Sequence, residues 1–133
     1  MLKIVEATAD RMPLVHELFL EYAASLDFDL GFQGFQEELS ALPGTYSAPH
    51  GCILFTSQNS ELAGCIALRS LNNSISEMKR FYVRGKYQGL GIGRALATAL
   101  IERARQYGYH FQSYFLSLTR ILGSCAPARR NIA

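Results

Sequence analysis

A strand-like segment, a glycine-rich turn and a long helical segment follow one another in the second half of the chain. The turn has glycine at alternate positions, Gly89, Gly91 and Gly93. The first amides of a helix have no partners within the helix, and the helix dipole makes that end positive, so a helix start can bind an anion. Glycine also lets a ligand approach the backbone closely. Because five basic residues and no acidic residue lie from Lys79 to Arg94, we expect this turn and its basic side chains to bind phosphate.

The spacing of the glycines distinguishes between phosphate-binding motifs. A dinucleotide-binding GxGxxG motif fails, because its last position is Arg94 when the motif starts at Gly89 and Leu96 when it starts at Gly91. A P-loop fails as well, because no glycine in that frame is followed by lysine. The pattern Gln/Arg-x-x-Gly-x-Gly/Ala is met by residues 88–93, Gln-Gly-Leu-Gly-Ile-Gly.

The strand before the turn extends this match. The run from Glu77 to Arg84, followed by Gln88 to Leu96, closely resembles the central acetyl-CoA motif of the GCN5-related N-acetyltransferase (GNAT) superfamily. The resemblance is looser before this motif and covers about residues 1–118. One departure is Gly85, where members of the family often have proline.

The resemblance implies a cofactor site. In such proteins the pyrophosphate of coenzyme A lies on the turn, and the preceding strand pairs with the pantetheine arm while its free amides polarise the thioester carbonyl. Acetyl-CoA would therefore be the co-substrate. The implied cofactor-binding residues are Phe81, Tyr82, Val83, Arg84, Gln88, Gly89, Leu90, Gly91, Ile92, Gly93 and Arg94.

Glu77 is the candidate catalytic residue, because the family often uses a carboxylate at this place to take the proton of the amine. An ammonium has no lone pair for attack, so a base is needed. The alternative is a surface glutamate paired with Lys79 or Arg69. The tyrosine that commonly serves as general acid has no counterpart, since Tyr109 and Tyr114 precede its position.

The acceptor is not specified by the sequence. The segment from Leu26 to Phe35 is rich in phenylalanine and, by the resemblance, would cover the acceptor pocket, with Asp27 and Asp29 able to attract a cationic amine. Core packing explains its aromatic residues equally well. We expect a small-molecule or peptide amine as the acceptor, attacking acetyl-CoA directly.

The resemblance implies the α+β fold of GNAT acyl-CoA N-acyltransferases, with a mixed, mainly antiparallel central sheet flanked by helices. A helix is expected from Asp10, which would cap it, with Leu14, Leu18, Tyr22 and Leu26 on one face. The turn tripeptides at 58–60 and 72–74 favour an antiparallel meander of three strands. The expected strands are 2–8, 52–57, 61–71, 75–83 and 109–118, and the other expected helices start near Phe35 and span about 90–107, with Gly108 as the C-terminal cap.

The resemblance also implies a departure at the C-terminus. The family usually continues beyond the strand near Leu118 with a helix and two strands, and this chain has about 15 further residues, so we expect those elements to be missing. We expect a GNAT domain at 1–119 and a poorly ordered tail at 120–133. The alternative function is a truncated, catalytically impaired protein that binds coenzyme A, with a homodimer covering the exposed edge of the sheet.

Composition argues against other classes of protein. The net charge is +2, but three arginines after residue 119 contribute +3, so the rest of the chain carries −1. No nucleic-acid partner is therefore expected. We expect no membrane span and no signal peptide, hence a cytoplasmic protein. The histidines are too scattered to form a metal site with the carboxylates, so none is expected; they are His16, His50 and His110. The cysteines lack a CxxC pattern and are expected to be plain buried or free thiols; they are Cys52, Cys65 and Cys125.

Overall fold

The computed structural model describes residues 2–26 and 34–109, which form four strands and three α-helices. Short 3-10 turns lie at Ala9–Arg11, Gly44–Tyr46 and Gly85–Tyr87. The elements in chain order are β1 (Leu2–Glu6), α1 (Met12–Ala24), α2 (Phe35–Ala41), β2 (Cys52–Gln58), β3 (Glu61–Ser70), β4 (Ser76–Val83) and α3 (Ile92–Gln106).

The strands form one sheet in the order β1-β2-β3-β4, and every neighbouring pair is antiparallel. The predicted meander of β2, β3 and β4 is confirmed. Its second turn is closed by Asn72, whose side-chain oxygen accepts hydrogen bonds from the amides of Ser74 and Ile75 at 2.8 and 2.9 Å. In the first turn, Asn59 and Ser60 adopt positive φ angles of 54° and 71°. The tripeptides therefore fixed the topology through local turn chemistry.

Helices cover both faces of the sheet. Helix α3 packs on one face, where Ile92, Leu96 and Leu100 meet Ile66 and Leu68 of β3. Helices α1 and α2 cover the other face, and the second core cluster lies there; it comprises Val15, Leu18, Phe19, Phe35, Leu39, Tyr46, Ile53, Phe55, Cys65 and Ala67. Since both faces are covered, β2 and β3 consist of nearly continuous buried residues instead of alternating ones.

Helix α3 confirms the predicted period, with Ile92, Leu96, Leu100 and Ala104 all buried. Gly108 has a φ of 89°, as expected for a left-handed C-terminal cap. No described helix combines the length and apolar character needed to cross a membrane.

The start of α1 differs from the prediction. Asp10 lies in a 3-10 turn before the helix and accepts a hydrogen bond from the Thr8 hydroxyl, while Arg11 is the N-cap residue and makes no side-chain cap. The prediction that Asp10 caps the helix was therefore wrong. Strand β1 ends at Glu6, and Leu26 lies beyond the helix end at Ala24.

Several predictions fall outside the described residues. These are the loop at 27–33 with Asp27 and Asp29, the strand expected at 109–118 apart from Tyr109, and the expected tail at 120–133. Tyr109 is buried, and its hydroxyl donates to the His50 carbonyl at 2.5 Å.

The close approach of β3 to β4 gives a first testable prediction. A Cβ atom on Gly64 would lie 2.5 Å from the Tyr82 carbonyl oxygen, and backbone cannot yield as a side chain can. We expect Gly64→Ala to lower the free energy of unfolding by about 1–3 kcal/mol in urea titrations. A Cβ atom on Gly85 meets nothing within 4 Å, so Gly85→Ala should stay within about 0.5 kcal/mol of wild type. Equal effects of the two substitutions would contradict this packing.

The two described cysteines give a second prediction. Cys52 and Cys65 are free and buried, as expected, and burial raises the pKa of each thiol to about 12. The unfolded chain loses the thiol proton first, so stability falls as pH rises from the unfolded pKa towards 12. We expect each thiol to account for a loss of about 1.5–2 kcal/mol at pH 10. In reducing buffer, Cys65→Ala should therefore show a shallower loss of unfolding free energy between pH 8 and pH 10 than wild type, whereas parallel curves would contradict the assignment.

Candidate functional site

The glycine-rich turn connects the end of β4 to the start of α3 on an exposed edge of the fold. Gly89 and Gly91 have φ angles of 84° and 82°, a left-handed conformation that glycine adopts without strain. A Cβ atom at either position would meet nothing within 4 Å. The backbone of the turn therefore faces open space, and a ligand can reach it.

The amides of this turn have no acceptors in the described part of the chain. Within residues 2–26 and 34–109, the first bond into the helix runs from the Ala95 amide to the Gly91 carbonyl at 3.1 Å, and the amides of residues 89–93 have no acceptor. Helix α3 also has no side-chain cap, and its first turn carries no acidic residue. A row of donors at the positive end of a helix dipole is suited to a phosphate.

The predicted side chains of the turn have different surroundings. Gln88 donates its side-chain amide to the Val83 carbonyl at 2.9 Å, which holds the turn against the end of β4. Ile92 is buried in the core below α3, so its backbone alone faces the turn. Gly93 lies against Phe81, and a Cβ atom there would be 3.0 Å from that ring. Leu90 and Arg94 are exposed.

Strand β4 carries the rest of the predicted cofactor site. Phe81 and Val83 pack towards α3, while Tyr82 lies on the opposite face. The Tyr82 hydroxyl is 3.4 Å from the Glu21 carboxylate. In the described part of the chain β4 pairs with β3 alone.

The basic residues around the turn are largely engaged by acids from elsewhere in the chain. Arg84 binds Glu17 and Glu21 with donor–acceptor distances of 2.8 and 2.6 Å, and Lys86 pairs with Glu61 at 2.9 Å. The hydrogen bond from Arg84 lowers the pKa of Glu21. The expectation of a basic phosphate cluster considered only acids within the segment, and these long-range partners correct it. The candidate donors for a phosphate at the turn are therefore mainly its backbone amides.

Arg80 is a further departure from that expectation. It is 2% exposed and forms a two-bond ion pair with Glu38 of α2. Sequence reasoning missed this pair because the partners are 42 residues apart. The spacing of two apolar residues in β4 indicated an irregularity near Arg80. Met78 and Phe81 both face α3 and are three residues apart, whereas residues on one face of a regular strand are an even number apart.

Glu77 lies on β4 opposite Arg69 of β3, and the Arg69 Nε donates to its carboxylate at 3.0 Å. The pairing foreseen as the alternative to catalysis is therefore present. The side chain of Glu77 remains 23% exposed, so its carboxylate can also contact solvent or a ligand. Burial lowers the pKa of the neighbouring Lys79. The role of Glu77 as a base stays a prediction.

No group of three or more potential metal-ligating side chains comes together within residues 2–26 and 34–109. His16 and His50 are exposed, and His110 lies outside the described residues.

Sequence comparison finds relatives of this chain. The sequence profile of the acetyltransferase (GNAT) family matches residues 13–117. An uncharacterized N-acetyltransferase of Dictyostelium discoideum is 45% identical over 78 residues, 58% of this chain and 36% of that protein. An uncharacterized N-acetyltransferase of Schizosaccharomyces pombe is 33% identical over 94 residues, 69% of this chain and 58% of that protein. The chain thus spans less than two thirds of either relative.

Structure comparison agrees with the sequence relatives. A crystal structure of a GNAT family acetyltransferase from Elizabethkingia anophelis with acetyl-CoA bound matches with a TM-score of 0.61 and 24% sequence identity, covering 81% of this chain and 60% of that chain. The antiparallel sheet with helices on both faces is the fold that the two proteins share.

Proposed function

Because the profile match extends over most of its length, this chain belongs to the acetyltransferase (GNAT) family, and we propose that it transfers an acetyl group from acetyl-CoA to an amine. The observation that carries the proposal is the row of amides at residues 89–93, at the positive end of α3, which have no acceptor among the residues that the structure describes. These donors suit the diphosphate of coenzyme A. The acetyl-CoA bound to the relative from Elizabethkingia anophelis supports the same ligand for this chain.

The proposed binding mode uses the turn and β4 together. The diphosphate contacts the backbone of residues 88–94, while the pantetheine arm lies along the edge of β4 that faces away from β3, beside Phe81, Tyr82 and Val83. Pairing with a strand edge gives the arm backbone hydrogen bonds without requiring particular side chains. The Arg84 side chain binds two glutamates of α1, its amide donates to the Ala63 carbonyl and its carbonyl accepts from the Tyr87 amide, so we propose that Arg84 shapes the end of β4 and offers coenzyme A no free donor.

The proposed reaction is a direct attack. The amine nitrogen attacks the thioester carbonyl carbon, amides of β4 stabilise the oxyanion, and the carbon–sulfur bond then breaks to release the thiolate of coenzyme A. The proton of the amine passes to a base, for which Glu77 is the candidate, directly or through a water molecule. We propose that its ion pair with Arg69 orients the carboxylate.

Two measurements test the function. Calorimetric titration with acetyl-CoA should show binding, and thiol release from acetyl-CoA should rise when an accepted amine is present in a panel of small amines and peptide amino groups. Binding without release by any amine would favour the alternative of a protein that binds coenzyme A without transferring the acetyl group. Absence of binding would contradict both. A cytoplasmic location and a homodimer that covers the edge of β4 stay predictions, the second open to light scattering.

A further inference from the structure

Strand β4 contains an extra residue at Arg80. Lys79 lies opposite Ala67 and Tyr82 opposite Cys65, so Arg80 and Phe81 together face the single residue Ile66. Arg80 has a φ of 58°, which is uncommon for a residue with a long side chain. This is a β-bulge, and it turns the neighbouring peptide groups away from the regular ladder.

The side chain of Arg80 is held on several sides. Its Nε and Nη2 atoms donate to the two carboxylate oxygens of Glu38 at 2.8 and 2.7 Å. Its guanidinium carbon lies 5.9 Å from the centre of the Tyr22 ring and 5.4 Å from that of Phe35. The Arg80 carbonyl accepts a hydrogen bond from the Cys65 thiol at 3.4 Å. The surroundings thus maintain a backbone conformation that a free chain rarely adopts.

This arrangement joins α2 to the strand that the proposed function assigns to the thioester. Arg84, which follows β4, also pairs with glutamates of a helix. The Arg84 side chain is 25% exposed, whereas that of Arg80 is 2% exposed. A two-bond, desolvated pair fixes orientation as well as distance. We infer that the Glu38–Arg80 pair is a positioning device, which sets the bulge so that β4 amides point at the thioester carbonyl; this inference rests on the proposed function.

The test uses variants that keep both charges and change only the geometry, Arg80→Lys and Glu38→Asp. The matched controls are Arg103→Lys and Glu6→Asp, which alter an ion pair between α3 and β1 at the opposite edge of the sheet. The probe is acetyl-CoA labelled with carbon-13 in the acetyl carbonyl. Its stretching band is measured by infrared difference spectroscopy on the bound thioester, so no acceptor is needed.

The expected result is a bound band lower in frequency than that of free acetyl-CoA in the wild-type protein and in both controls, because amide hydrogen bonds polarise the carbonyl. In Arg80→Lys and Glu38→Asp the band should move back by at least about half of that shift, with the dissociation constant for acetyl-CoA within about threefold of wild type. With an accepted amine, kcat should fall about tenfold while KM for acetyl-CoA changes little, since a misdirected oxyanion donor acts on the transition state.

The outcomes separate the inference from the function on which it rests. A wild-type protein that does not bind acetyl-CoA would end the proposed function and the inference together. Wild-type binding with an unshifted band, or with the same band in the two bulge variants, would overturn the inference alone. Circular dichroism and thermal unfolding check that each variant folds. Loss of folding or of acetyl-CoA binding in both bulge variants would assign the pair a purely structural role and would also overturn the inference.

Discussion

Glu38→Gln should lower the free energy of unfolding by about 3 kcal/mol, because it leaves the Arg80 cation buried without a counter-charge. Arg80 is 2% exposed, so water cannot replace the lost carboxylate. Glutamine keeps the shape and one acceptor, and the Tyr22 and Phe35 rings remain beside the guanidinium, so the cost belongs at the lower end of the range for broken buried pairs. Urea denaturation at neutral pH, with an unchanged m-value, measures the loss.

Two further variants test the cause of this loss. Glu6→Gln breaks the pair with Arg103, whose partners are 30% and 37% exposed, and should cost less than about 1 kcal/mol. The double variant Glu38→Leu/Arg80→Met removes both charges and should recover most of the stability that Glu38→Gln loses. If Glu38→Gln cost no more than Glu6→Gln, the buried pair would not be the stabilising contact that its geometry indicates.

The parts of the fold that local chemistry decides were predictable from the sequence. The turn residues at 58–60 and 72–74 gave the antiparallel meander, because Asn, Ser and Gln in such short connections leave no room for a crossover. The four-residue recurrence of Ile92, Leu96 and Leu100 gave the buried face of α3. The glycines at 89 and 91 pointed to an open backbone turn, which the structure contains.

The parts that depend on distant partners were not predictable in the same way. The charge run from Lys79 to Arg94 looked free of acids, yet Glu17, Glu21, Glu38 and Glu61 approach it from other elements. The location of the bulge also depends on tertiary contacts, since they stabilise a φ angle that Arg80 would not adopt alone. The prediction that Asp10 caps α1 was wrong although aspartate is a common capping residue, because Asp10 lies in the 3-10 turn before α1 and Arg11 occupies the cap position.

Gly91→Asp should weaken coenzyme A binding about 100-fold relative to Gly91→Asn at low salt, because a carboxylate would lie beside the proposed diphosphate site at the head of α3. Aspartate and asparagine have nearly the same shape and are the non-glycine residues that best tolerate a left-handed conformation such as the φ of 82° at this position. Apart from the adjoining residues, no atom of the described chain lies within 4 Å of the added Cβ, so both variants should fold. Both side chains can also cap the helix amides, so their difference isolates the charge.

Calorimetric titration at several salt concentrations makes this comparison decisive, since the difference in affinity should shrink as salt screens the repulsion. Gly85→Asp adds the same charge at an exposed position outside the amides of residues 89–93 and should change affinity much less. S-acetyl-pantetheine, which lacks the diphosphate, should not distinguish Gly91→Asp from Gly91→Asn. Equal affinity of the two Gly91 variants for coenzyme A at low salt would mean that the diphosphate binds away from the start of α3. A diphosphate bound at that helix start would be repelled by a negative charge placed among its donors.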